Sequence, residues 1–383
     1  MFARGEVLRI VCGAAGPMGE VVHAQRLAEH LAGTGPEVEV WMLAGAEAEA
    51  PRSAPGARLI PAAGAESPED RVEVLAQALR AAPRARVLHA EDVVSGLACA
   101  QLQSRGGPRV VRTVHHLASA EDSDAEERQR ASLAVADRRV CASRYWAERI
   151  ERELGVGADV VPNGVDAAHF RSRQLSRAEA GRDLGWGRRP TVLSVGGVAA
   201  RKGSLTLLEA FARARGRIGS GALLAIVGGR AAPSDFLQRF FEEAERLGLR
   251  VERERVGGQT DVVLLPTLST EAMPGLYRAA DAFALPSTRE GFGLAALEAA
   301  AAGRPIVLSD LLVFREIFTP EHDCLMAPAG APGQLADLLV RATRDDDLRR
   351  RIAAEARQTA AHYTWDAAAA AYARIYVEVL EEA

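Results

Sequence analysis

Two glutamates and a neighbouring pair of cations are the residues of this sequence best placed, by type and setting, to do chemistry. Glu290 and Glu298 stand eight positions apart in Glu290-Gly-Phe-Gly-Leu-Ala-Ala-Leu-Glu298. The apolar run Ala282 to Leu285 before them ends at Pro286-Ser287, which predicts a buried strand running into a loop. Leu294 to Ala302 carries Glu298 as its only charge and closes at Gly303, with Pro305 soon after, which predicts a helix. Glu290 then lies in a strand-to-helix loop and Glu298 about one turn into the helix, so both carboxylates can face one crevice. Gly291 and Gly293 let backbone approach a ligand closely. The helix start around Phe292, Gly293 and Leu294 offers N–H groups and a positive dipole end that suit a phosphate.

The cations stand in Gly196-Gly197-Val-Ala-Ala-Arg201-Lys202-Gly203, after the predicted strand Thr191 to Val195. Lysine as a point charge and arginine as a planar fork suit a diphosphate. His115 follows the strand Val110 to Val114 and can face a crevice with a charge that is adjustable near neutral pH; His116 is a weaker candidate. The loop Gly13-Ala-Ala-Gly-Pro-Met-Gly19 can present amides to an anion, although its spacing is neither a dinucleotide fingerprint nor a P-loop. Asp122-Ser-Asp124 forms a D-x-D triplet, but no strand ends at it, and a solvated loop or helix start is the expectation there. No metal site is predicted.

These residues need a scaffold of alternating strands and helices. Val7 to Cys12, Val38 to Leu43, Val87 to His89, Val110 to Val114 and Arg139 to Ala142 read as strands, with helices at Val21 to Leu31 and Arg71 to Leu79. Further strands are predicted at Ala222 to Val227, Val262 to Leu265 and Ile306 to Leu308. This order predicts parallel sheets covered on both faces, with ligands at the carboxyl ends of the strands. The 383 residues exceed what one core usually serves. Asn163-Gly164 is a turn signal, and the polar, Arg-rich stretch Phe170 to Arg189 reads as a linker with an irregular start to the next domain. The expected domains are 1–165, 166–364 and a C-terminal helix, 365–383. A net charge of -4 gives no case for nucleic acid as a partner. Cys12, Cys99, Cys141 and Cys324 are far apart and read as small buried hydrophobes, which fits a reducing cytoplasm. No apolar run approaches a membrane span, and the N-terminus has too short an apolar core for a signal peptide. Weak contact with a membrane surface through basic residues stays open.

The segment ADAFALPSTREGFGLAALEAAAAGRPIVLSD resembles the donor-sugar region of family-4 glycosyltransferases, with Glu290 and Glu298 matching their E-x7-E motif. Thr113–His115, Asn163–Asp166, Lys202-Gly203 and Val313–Glu316 resemble further family segments. The resemblance implies the α/β GT-B fold: two Rossmann-like domains facing each other across a cleft, with a C-terminal helix crossing back to the first. It implies a retaining transferase that moves a sugar from a nucleotide-diphosphate sugar to a small-molecule, glycan or lipid-linked acceptor. The first domain would bind acceptor and the second donor, with UDP preferred to GDP and no cofactor or metal required.

By the same resemblance Glu298 would hold the ribose and Glu290 a hydroxyl of the donor sugar, with His115 beside the transferred sugar. Lys202, Arg201 and the amides around Gly293 would stabilise the diphosphate, with Gly19 opposite. Two departures stand out. Pro17-Met18-Gly19 replaces the usual Gly-Gly pair, so only Gly19 is carried over. Gly197 stands where the family usually has arginine, and Arg201 is the candidate to replace that charge. A nucleotide-sugar epimerase of the same fold and a non-catalytic nucleotide-sugar-binding protein are the alternatives.

Overall fold

The computed structural model describes residues 6–15, 18–33, 35–44, 56–103, 107–117, 123–171, 176–228 and 234–382. Asp122 of the D-x-D triplet lies outside them. The chain divides into two compact units, one running to Gly164 and resuming at Trp365, the other Val165–Thr364.

Unit one holds a parallel seven-stranded sheet. Its strands are β1 (Val7–Cys12), β2 (Glu37–Ala44), β3 (Ala57–Pro61), β4 (Val87–Ala90), β5 (Arg109–Val114), β6 (Arg138–Cys141) and β7 (Asp159–Val160), in the spatial order β3-β2-β1-β4-β5-β6-β7. Every pairing is parallel. The helices α1 (Gly19–Leu31), α2 (Pro68–Ala81), α3 (Val93–Ala100), α4 (Ser123–Ala134) and α5 (Arg144–Leu154) connect them. The C-terminal helix, Trp365–Glu381, packs on α1, and His30 Nδ1 lies 2.7 Å from Asp366 Oδ1. The order reverses between β1 and β4, which is where a doubly wound sheet opens a crevice. Burial of β1 includes Arg9, which is tolerated because its Nε meets Glu39 Oε2 at 2.6 Å and its guanidinium lies 4.1 Å from the Trp41 ring.

Unit two repeats the plan. It begins with α6 (Ala167–Arg171) and α7 (Arg177–Asp183), then β8 (Thr191–Val195), α8 (Ser204–Ile218), β9 (Leu223–Val227), α9 (Ser234–Arg246), β10 (Val251–Arg253) and β11 (Val262–Leu265). It continues with α10 (Met273–Ala279), β12 (Ala282–Leu285), α11 (Leu294–Ala301), β13 (Ile306–Ser309), α12 (Leu312–Arg315), β14 (Leu325–Ala327), α13 (Pro332–Arg344) and α14 (Asp346–Ala361). The parallel order is β10-β11-β9-β8-β12-β13-β14, with the reversal between β8 and β12. Each residue of β9, Leu-Leu-Ala-Ile-Val, is buried, and a fully buried aliphatic side chain contributes roughly 1.5–3 kcal/mol.

The stretch Phe170 to Arg189 is not simply a linker. Ser176 accepts from Glu179 N while Glu179 reaches back to Ser176 N, and this capping box starts α7. Asp345 accepts from Leu348 N and caps the start of α14. All four cysteines are buried free thiols. Among the described residues no helix is long and apolar enough to cross a membrane.

Candidate active site

In unit two the loops after β8 and β12 leave adjacent strands at the reversal point. Gly196 and Gly197 both donate to Val227 O, with φ of +123° and +73°. Gly203 has φ +67°, and a Cβ there would lie 2.0 Å from Pro286 O, so only glycine lets the two loops touch. Thr288 N then donates to Arg201 O at 2.8 Å. This seam brings the functional side chains together. Lys202 Nζ donates to Glu290 Oε1, which also accepts from Ser287 Oγ at 3.2 Å. Glu290 is only 8% exposed. Arg201 is half in solvent, with Nη1 3.9 Å from the same Oε1. Lys202 is the only lysine among the 47 lysines and arginines of the chain; at this one position the basic residue is a compact ammonium rather than a fork.

Gly293, with φ +100°, caps α11, and a Cβ there would meet the Phe314 ring at 2.5 Å. The first turn of α11 therefore starts at the mouth of the same loop, amides outward. Gly291 is half-buried and Phe292 buried against the Tyr363 ring. Glu298 is half-buried one turn along. Tyr277 is fully buried and donates from its hydroxyl to Glu298 Oε2 at 2.7 Å. Burial, with the charge of Glu298 beside it, pushes the Tyr277 pKa well above its ordinary value, so it stays a donor.

In unit one, Gly19 opens α1, and a Cβ there would meet nothing within 4 Å. His115 follows β5, is mostly buried, and places Nε2 2.8 Å from Glu91 Oε2; His116 is exposed. Glu91, just past β4, is fully buried and also meets His23 Nδ1 at 3.0 Å, with His89 Nε2 at 3.5 Å. Burial alone would raise the Glu91 pKa. The charges of His23 and His89, with the hydrogen bonds of His115 and His23, outweigh it and hold Glu91 well below the usual carboxylate range. An ionised Glu91 accepts, so the hydrogen of His115 sits on Nε2 and Nδ1 is left for other contacts. Burial pushes His89 down to about 4. Its Nδ1 meets Tyr376 OH and its Nε2 meets Thr113 Oγ1, each at 2.7 Å, and Thr113 Oγ1 lies 2.8 Å from Tyr372 OH. His23, Glu91 and His115 also bring one ligand atom each within 4.8 Å of one another, a spacing that could close on a metal ion.

A family model described as "Glycosyl transferases group 1" matches residues 176–359, and one described as "Glycosyltransferase Family 4" matches 18–169. A D-inositol 3-phosphate glycosyltransferase of Nocardia farcinica is 30% identical over 92% of this chain and 82% of its own. The chain belongs to the family-4 glycosyltransferases. A GDP-mannose-dependent alpha-(1-6)-phosphatidylinositol monomannoside mannosyltransferase of Mycobacterium tuberculosis is 30% identical over 60% of this chain and 58% of its own. Anabaena HepE, solved in complex with UDP and glucose, superposes with a TM-score of 0.80 over 97% of this chain and 100% of that one, at 17% identity. The fold of this glycosyltransferase is GT-B.

The enzyme thus gathers Gly197, Arg201, Lys202, Glu290, Gly291, Phe292, Gly293, Leu294 and Glu298 around the ends of two neighbouring strands in unit two. Gly19 and His115 belong to unit one. Four residues of the family-4 enzyme escaped the sequence reading: Tyr277, His23, His89 and Glu91. The signal for Glu91 was present in part, since Asp92 is an N-cap whose box with Ser95 fixes the turn carrying it. Nothing local announced that two distant histidines, His23 and His115, would join the neighbouring His89 around it.

Proposed function

We propose that the enzyme transfers a sugar from a nucleotide-diphosphate sugar to an acceptor hydroxyl with retention at the anomeric carbon and without a metal. The observation that carries this reading is Lys202 Nζ on Glu290 beside the open helix start at Gly293. One carboxylate under two cations, with backbone amides alongside, is an arrangement suited to a sugar hydroxyl next to a departing diphosphate. The ammonium has three hydrogens, so it can keep Glu290 and take a diphosphate oxygen. As the glycosidic bond breaks, negative charge grows on the diphosphate, and preorganised cations and amides stabilise it there. Arg201 supplies the guanidinium that Gly197 does not. Glu298, held by Tyr277, accepts from the ribose hydroxyls. The acceptor attacks from the face the diphosphate leaves; a diphosphate oxygen takes the acceptor proton, so no protein nucleophile is needed. Unit two binds the donor and unit one the acceptor, with His115, oriented by Glu91, assigned to the transferred sugar and Gly19 to the diphosphate.

UDP-sugars are the preferred donors. The names of the Nocardia and Mycobacterium relatives support inositol-bearing acceptors as the first to try and GDP-mannose as the competing donor. The test is a thermal-shift screen of nucleotide sugars, since a ligand at 100 times its dissociation constant stabilises by about 2.7 kcal/mol. Product configuration is then read by NMR, with and without EDTA. Inversion at the anomeric carbon would overturn the mechanism. Loss of turnover in EDTA would move attention to an ion at His23, Glu91 and His115.

A further inference from the structure

A second concentration of charge lies in unit two, at the opposite end of α11 from Gly293. Arg171 ends α6, Arg278 is in the last turn of α10, Arg304 follows α11 and Arg357 is on α14. Together with Ala301 and Ala302 they line a surface cavity of about 380 Å³, and no carboxylate is in its lining. Several other arginines of this unit sit on acids: Arg177 and Arg349 on Asp281, Arg341 on Glu321, Arg315 on Asp310. Among the described residues Arg171, Arg304 and Arg357 form no salt bridge.

Arg304 shows what the crowding costs. One of its nitrogens, Nη1, caps α10 by donating to Ala280 O at 3.0 Å, but its Nε is buried with no partner. Burial first, then the like charges of Arg278, Arg349 and Arg357, pull its pKa down to about 10. Asp281, the one acid that acts on it, already holds Arg177 and Arg349. Helix capping accounts for Nη1 and leaves the other donors unexplained. Guanidinium forks converging from four elements match the oxygens of a phosphate, and the small side chains of Ala301 and Ala302 leave room for it.

We propose that this arginine cavity binds a phosphate-bearing anion, at a site separate from the donor loops. The anion is either a soluble phosphate compound or the phosphate of a lipid headgroup, and two measurements distinguish the sources. Pyrophosphate is titrated calorimetrically into the Lys202→Met protein, in which the donor loops are weakened. Vesicles of phosphatidylcholine with and without phosphatidylglycerol are tested by flotation. The paired variant Arg171→Gln/Arg357→Gln is compared with Arg213→Gln/Arg350→Gln, which removes the same charge from exposed positions. The cavity pair should weaken pyrophosphate at least about tenfold, or abolish flotation on phosphatidylglycerol, while the control pair changes either by less than about twofold. Loss in the first measurement assigns a soluble phosphate, and loss in the second a headgroup. Equal effects of the two pairs in both measurements, or no saturable binding in either, overturn the proposal. Should the glutamine pair fail to fold, Arg171→Lys/Arg357→Lys takes its place, with weakening expected from loss of the forks alone.

Discussion

The ammonium of Lys202 rests on the carboxylate of Glu290 across 88 positions of sequence. Gly203 against Pro286, and Thr288 on Arg201, set that distance. The cation proposed for the leaving group and the carboxylate proposed for the sugar are thereby held together by one seam of backbone contacts.

Removing the cation should therefore cost turnover more than affinity. Loss of one preorganised stabilising group typically costs about 100- to 1,000-fold in turnover, and that is expected of Lys202→Ala. Arg201→Ala should cost less than Lys202→Ala but more than about twofold, and Arg201→Lys should restore only part of the loss. Steady-state kinetics on the donor decide it. An unchanged Arg201→Ala rate would show that Lys202 and the α11 amides suffice.

Glu298 and Tyr277 form a second testable pair. Glu298→Ala should weaken nucleoside diphosphate by roughly 1.5–3 kcal/mol, the size of a hydrogen bond to a charged group. Tyr277→Phe keeps the ring packing and loses the hydroxyl's contacts with Glu298 and Ala295 O, so a smaller loss, about 0.5–1.5 kcal/mol, is expected. Calorimetry with the diphosphate alone separates these from effects on the sugar. Full affinity in a folded Glu298→Ala protein would remove the ribose assignment.

Two glycines should behave oppositely. Gly293→Ala places a Cβ on the Phe314 ring at φ +100° and should destabilise by about 1–3 kcal/mol, lowering the melting temperature by a few degrees. Gly19→Ala meets no atom within 4 Å and should shift stability by no more than about 0.5 kcal/mol. A drop in turnover for Gly19→Ala at unchanged stability would place a ligand against its backbone.

Acid should loosen unit one in a defined window. His89 is held near 4 in the folded protein against an ordinary 6.5, so between those values the unfolded chain takes up a proton that the folded chain refuses. Stability falls as pH drops through that interval, by up to about 1.4 kcal/mol per unit. Glu91, depressed below its ordinary 4.5, contributes stability that is present above that value and is lost at still lower pH. Urea unfolding at a series of pH values should show a shallower slope from 6.5 to 4 in His89→Gln. An unaltered slope would assign the acid sensitivity to another group.

The setting of Glu290 and Glu298 was legible in the sequence because strand end, loop and helix start are contiguous there. Glu290, Gly293 and Glu298 fall within nine residues, and their setting follows from one apolar run and one helix. Glu91 was not legible: its partners lie 68 positions upstream at His23 and 24 downstream at His115, and no local pattern encodes a buried carboxylate. Tyr277 was not legible either, since a buried aromatic on a helix carries no sign that its hydroxyl will meet Glu298. The helix α7 was hidden by arginines, although Ser176 and Glu179 spelled its start. Strands such as β7, two residues at the edge of a sheet, carry too few apolar positions to register.

The C-terminal helix has a consequence for the order in which the protein is made. Tyr372 and Tyr376 hold Thr113 and His89, and the Trp365 ring packs 5.7 Å from that of His23. Yet some 200 residues of unit two stand between these contacts and the rest of unit one. At roughly 5–20 residues per second, a ribosome spends about 10–40 s making them. Throughout that interval unit one lacks the wall that closes over its buried charges. The half of the enzyme that begins first is finished last, and during synthesis unit two can fold before its neighbour is complete.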